Sequence, residues 1–112
     1  MGISTHILDT TQGRPASDVT VTLEKENGGA WLMLGNGKTD ADGRLRTLVP
    51  DGQNPEPGTY RITFNTDGYF TRIGTEGFYP SVSIVFRVKV ATEHYHVPLL
   101  LNPFGFSTYR GS

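Results

Sequence analysis

Apolar and polar positions alternate along most of this chain with a period of two. That is the spacing of side chains on a strand with one buried face. Ile3 to Asp9 predicts a first strand, closed by the turn segment Gln12-Gly13-Arg14-Pro15. Val19, Val21 and Leu23 alternate with Thr20, Thr22 and Glu24 in a second. A turn at Asn27-Gly28-Gly29 leads to a short third strand, Trp31 to Leu34, which Gly35-Asn36-Gly37 is expected to interrupt. Thr39-Asp40-Ala41-Asp42-Gly43 turns into a fourth strand, Arg44 to Leu48, and Pro50 to Gly58 reads as a loop. Tyr60 to Asn65 predicts a fifth strand, Val82 to Val90 a sixth, His94 to Leu101 a seventh and Phe104 to Arg110 an eighth. The one helical stretch is Asp67 to Ile73, after Asn65-Thr66, with Gly68 weakening it.

Eight short strands, with turn signals at intervals of about 8–12 residues, predict an all-β sandwich carrying one short helix. A single domain over residues 1–112 is expected, with no internal repeat or linker. The 14 Gly and 7 Pro supply the turns. A chain this short buries only about two-thirds of its unfolded surface, so further subunits would add stability. Ten basic residues against 11 acidic ones leave a net charge of −1, no electrostatic footprint for nucleic acid or an acidic membrane. No apolar run approaches the ~18 residues of a membrane-spanning helix. Met1-Gly2-Ile3-Ser4-Thr5-His6 lacks the regions of a secretory signal. With zero cysteines, disulfides, thiol catalysis and thiolate metal sites are excluded.

Alternation also sorts the polar residues onto faces. Tyr95, Val97, Leu99 and Leu101 form a core face, which turns His94, His96, Pro98 and Leu100 outward. Ile3 and Ile7 are the core pair of the first strand, which turns Ser4, His6 and Leu8 outward. All three histidines are thus expected on outer faces together with leucines. That mixture suggests a contact surface or a ligand channel. Each residue has a plainer reading. A lone histidine on a strand is usually a surface residue. His94 and His96, at i and i+2, would suit a metal with a third histidine, but no carboxylate cluster supports one. Asp40-Ala41-Asp42-Gly43 begins like a calcium loop, lacks the closing Glu, and reads as a turn. Arg44 alone is a solvated strand residue, and Tyr109-Arg110-Gly111-Ser112 alone is a frayed end.

Three stretches carry a resemblance. Ser4-Thr5-His6-Ile7-Leu8-Asp9-Thr10 with Gly13-Arg14-Pro15-Ala16, then Thr39-Asp40-Ala41-Asp42-Gly43-Arg44, then His94 through Ser112 are similar to the opening, middle and C-terminal motifs of the transthyretin-like family. The likeness runs along the whole chain. The family has a hormone-carrier branch, transthyretin, and an enzyme branch acting on 5-hydroxyisourate in urate breakdown. The ending Tyr109-Arg110-Gly111-Ser112 resembles the enzyme signature. His6, Arg44 and His96 stand where the carrier has Lys, Glu and Thr.

The resemblance implies an eight-stranded transthyretin-like sandwich and a homotetramer, a dimer of dimers around a central channel. Its lining would be His6, Leu8, Leu100, Ser107 and Tyr109. It implies attack of water on the C6 carbonyl of 5-hydroxyisourate, giving 2-oxo-4-hydroxy-4-carboxy-5-ureidoimidazoline, with no cofactor and no metal. His6 or His96 would be the general base, since an imidazole titrates near neutrality. Arg44, always charged, would polarise the carbonyl or hold the substrate. Ser112 would add a hydroxyl and the terminal carboxylate to the catalytic set. Tyr109, Arg110, Gly111 and Leu100 would bind the small ring and shorten the cavity. His94 is the weaker histidine, orienting its neighbours or sitting at an interface. Two other readings stay open: a carrier of a small aromatic ligand, and a structural sandwich module. Cytoplasm is the default compartment, because no Ser-Lys-Leu ending is present; periplasmic placement of a mature chain and a peroxisomal location are the alternatives.

Overall fold

The computed structural model describes residues 2–49 and 54–112. Met1, and the Pro50, Asp51, Gly52 and Gln53 part of the expected Pro50–Gly58 loop, lie outside the described residues. The elements run β1 (Gly2–Asp9), β2 (Arg14–Pro15), β3 (Thr20–Asn27), β4 (Ala30–Lys38), β5 (Arg44–Leu45), β6 (Gly58–Phe64), α1 (Thr66–Arg72), β7 (Val82–Val88), β8 (His94–Asn102) and β9 (Gly105–Thr108). One sheet has the order β2-β1-β8-β9, with β5 also on β1; the other has the order β4-β3-β6-β7. Among the described residues no helix is long and apolar enough to cross a membrane.

The core forms where the alternating apolar residues of both sheets meet. Ile3, Ile7, Tyr95, Leu99 and Leu101 from one sheet face Val21, Leu23, Tyr60, Ile62 and Phe64 from the other, all buried. The expected inward face of β8 is therefore the observed one. At the helix, the Asn65 side chain accepts from the Gly68 N–H at 3.0 Å, an N-cap that offsets the low helix propensity of Gly68. Thr66, Tyr69 and Phe70 are the residues the helix buries.

Four departures from the sequence reading have local causes. Arg14–Pro15, read as turn, adds a two-residue strand opposite Leu8–Asp9. The third strand is not broken at Gly35. It continues to Lys38, and a bulge between Leu23 and Glu24 absorbs the irregularity. Gly35 lies directly under the Leu48 carbonyl, where a Cβ would collide, so this glycine marks a close backbone crossing. The sixth strand stops at Val88, because the Lys89 and Val90 N–H groups turn inward to the Tyr95 hydroxyl, each at 3.0 Å. The fourth strand is only Arg44–Leu45; Leu48 and Val49 leave the ladder to enter the core.

One pairing decides where the functional side chains go. β1 and β8 lie side by side in parallel, with Gly2 opposite His94, Ser4 opposite His96, His6 opposite Pro98 and Leu8 opposite Leu100. On its other edge β1 takes β5, which sets His6 opposite Arg44.

Candidate functional site

The outer face of the five-stranded sheet is a grid of side chains set by register. One row holds Arg44, His6 and Pro98. A second holds Ser4, His96 and Gly111, because the tail makes one more antiparallel pair after β9, with the Gly111 N–H donating to the His96 carbonyl at 2.9 Å. A third holds Leu8, Leu100 and Ser107.

Between these rows opens a cavity of about 280 Å³, lined by Ser4, Thr5, Arg44, Arg46, His94, His96 and Ser112. Ser4 Oγ lies 2.7 Å from His94 Nε2 and 2.8 Å from His96 Nδ1. The two rings stack with centroids 6.5 Å apart and planes inclined at 23°. Arg44 leaves a turn held by Asp40, whose carboxylate accepts the N–H groups of Asp42 at 2.9 Å and Arg44 at 3.0 Å. The bond to the Arg44 N–H is the main reason that the Asp40 carboxyl titrates below its usual range. The expected plain turn is what the segment makes.

Burial pushes the His96 imidazole below the usual 6.5, and electrostatic repulsion from the neighbouring His94, His6 and Arg44 side chains adds to the effect. Burial lowers His94 as well. Both rings are therefore neutral at pH 7, which leaves lone pairs to accept protons. Among the described residues, no group of three or more His, Cys, Asp or Glu is placed to hold a metal.

Of the residues singled out in the sequence, His96, Arg44 and Ser112 come together in the cavity. His6 adjoins it, one row along β1 and half-buried. Gly111 packs on the His96 ring so closely that a Cβ there would lie 2.5 Å from Cδ2. Leu100 sits a row further away, and Tyr109 is exposed. Arg110 is not brought into this cavity. It pairs with Glu93 at 3.1 Å and lies over the Tyr95 ring at 4.5 Å. With Tyr109 it lines a different cleft between β7, β8 and the tail. The sequence reading gives no role to Ser4 or Arg46 and takes His94 as the weaker histidine, one that orients its neighbours or sits at an interface. The alternation Arg44-Leu45-Arg46 was the available signal for Arg46. Nothing local signals that Ser4 stands between two histidines about 90 residues away.

The family profile named HIUase/Transthyretin family matches residues 3–111. The chain is 44% identical over 110 residues to 5-hydroxyisourate hydrolase of Salmonella dublin, covering 98% of this chain and 80% of that one. Among solved structures it resembles Klebsiella pneumoniae 5-hydroxyisourate hydrolase, with a TM-score of 0.87, 38% identity and 100% of both chains covered. Sea bream transthyretin in complex with thyroxine superposes with a TM-score of 0.91 at 32% identity, covering 99% of this chain and 95% of that one. Backbone shape does not separate the enzyme from the thyroxine-bound protein, so the side chains of the outer face must.

Proposed function

The chain belongs to the HIUase/Transthyretin family, and from that premise we propose that it hydrolyses 5-hydroxyisourate to 2-oxo-4-hydroxy-4-carboxy-5-ureidoimidazoline, a step of urate breakdown. The observation that carries this reading is the meeting of His96, Arg44 and Ser112 in one cavity. Opening a cyclic amide needs a base for water, a donor for the oxygen that gains charge, and a pocket for a small polar ring. His96, neutral and partly buried, takes the proton from water. A positioned base of this kind contributes about 10²–10⁴-fold. Arg44 offers a permanently charged fork of N–H donors to the carbonyl oxygen. His6, opposite Arg44, stands where it can donate to the same oxygen or to the substrate. Ser112 closes the end of the cavity, with Gly111 holding the tail on the His96 ring.

The assembly we propose is a tetramer, formed edge to edge and then face to face. Its support is the pair of sheet ends β7 and β9, which carry no further strand among the described residues and flank one cleft. Unpaired edges with exposed apolar side chains, here Val85 and Phe106, invite strand pairing with a second copy. In such an assembly Tyr109 and Arg110 of one protomer approach the substrate of a neighbour.

The test is the ultraviolet decay of freshly generated 5-hydroxyisourate, with and without chelator, alongside light scattering. Rapid decay in both conditions, by a species of four chains, is the expected result. The likeness to thyroxine-bound transthyretin favours a second reading, a carrier of an aromatic ligand. Micromolar thyroxine binding without hydrolysis would establish it in place of the first.

A further inference from the structure

Ser4 is almost fully buried, and its hydroxyl touches two imidazoles at once. A hydroxyl has a single hydrogen, so it donates to only one ring and must accept from the other. With both rings neutral, two arrangements exist. In one, His96 Nδ1–H donates to Ser4, Ser4 donates to His94 Nε2, and His96 Nε2 keeps a free lone pair. In the other, His94 Nε2–H donates to Ser4, Ser4 donates to His96 Nδ1, and His96 carries its hydrogen on Nε2. Only the first leaves His96 Nε2 able to accept a proton.

We propose that Ser4 is a positioning residue that links His96 to the exposed His94 as a two-imidazole proton relay. The inference rests on the hydrolase reading of the same cavity. As water attacks, its proton goes to His96 Nε2. The His96 Nδ1 proton passes to Ser4 Oγ while the Ser4 hydrogen passes to His94 Nε2, so the positive charge ends on His94. The reverse shift returns the charge to His96 as Nε2–H protonates the leaving nitrogen. No proton is created or lost: water supplies the one that the ureido nitrogen of the product keeps.

Charge explains the direction. A charged His96 faces Arg44 from β5, His6 from β1 and His94 on its own strand, with Arg46 on the same cavity wall; the Ser112 tail, through its carboxylate, is the group of opposite sign in that lining. His94 is exposed, and the shift carries the charge toward solvent. Protonation of His94 from solvent has the opposite consequence. Both its nitrogens then donate, Ser4 must donate to His96 Nδ1, and the base is disabled.

The relay is tested on the resting protein by ¹⁵N NMR of the histidine rings during a pH titration. In the wild type, protonation of His94 is expected to move the His96 hydrogen from Nδ1 to Nε2. Ser4→Ala abolishes this response and Ser4→Thr, which keeps the hydroxyl, restores it. In turnover, Ser4→Ala and His94→Ala lower kcat by about 10- to 100-fold with KM within about twofold, less than removal of the base itself. A His96 tautomer indifferent to His94 and to Ser4 overturns the relay, as does wild-type kcat in both variants. A wild-type protein inert toward 5-hydroxyisourate defeats the hydrolase reading instead, and the NMR response is judged separately.

Discussion

On the outer face of the four-stranded sheet, Arg61 meets Glu24 at 2.9 Å and lies 4.4 Å over the Trp31 ring, while Thr63 and Ser83 share a hydrogen bond of 2.9 Å. On the outer face of the five-stranded sheet, Arg44 and Arg46 share a cavity with two imidazoles, and no carboxylate of the described residues pairs with either guanidinium. Both faces are polar and both cover the same core. The first settles its charges internally, as a solvated surface does. The second holds donors and neutral bases with no Asp or Glu in the cavity lining, which makes it complementary to a carbonyl or an anion brought from outside.

Substitution can break this contrast. The largest expected effect is at His96: His96→Ala lowers kcat by about 10²–10⁴-fold with the circular dichroism of the fold unchanged. Its control is Thr63→Ala on the opposite sheet, with kcat within about twofold of wild type. A similar loss in both would end the distinction. Next is Arg44→Met, with a loss of about 10²–10³-fold, the scale of removing one donor from a developing oxyanion. Gly111→Ala sharpens the comparison without touching a polar group. Its Cβ would fall 2.5 Å from His96 Cδ2 and 3.2 Å from Pro98 Cγ, so the ring or the tail must shift. A fall in kcat of about 10- to 100-fold, with Tm within about 2 °C, is expected from differential scanning calorimetry and steady-state rates.

Acid has a defined sign. His94 and His96 are lowered below 6.5 in the folded protein, so the unfolded chain binds more protons there. Their contribution to stability is present above pH 6.5 and is lost as pH falls through the folded values. Activity falls over the same acid range, as His96 gains a proton. Urea midpoints and rates measured from pH 8 to pH 5 check both. The smallest effect is on the solvated sheet: Arg61→Ala costs about 1 kcal/mol or less and leaves kcat unaltered.

Period-two alternation was enough to place Ser4, His6, His94 and His96 outward and Ile3, Ile7, Tyr95 and Leu99 inward, because a strand offers only two sides. It was not enough to say which strands are neighbours. That Ser4 falls level with His96 depends on parallel pairing between β1 and β8, a contact with no local signature. Glycines misled in one place: Gly35 has the look of a break and is a crossing point under Leu48. Arg110 shows the same limit at the tail. It reaches Glu93 and the Tyr95 ring, the former 17 residues back in the chain, and the sequence pattern signals neither contact.

The side-by-side alignment of β1 with β8 has a consequence for synthesis. Gly2–Asp9 leaves the ribosome long before His94–Asn102, its long-term neighbour, exists. During that interval its hydrogen-bonding edge is open to chaperones or to other nascent chains. The cavity lined by Ser4 and His96 can appear only after His94–Asn102 has been made, so a polypeptide interrupted before that strand has no means of consuming substrate.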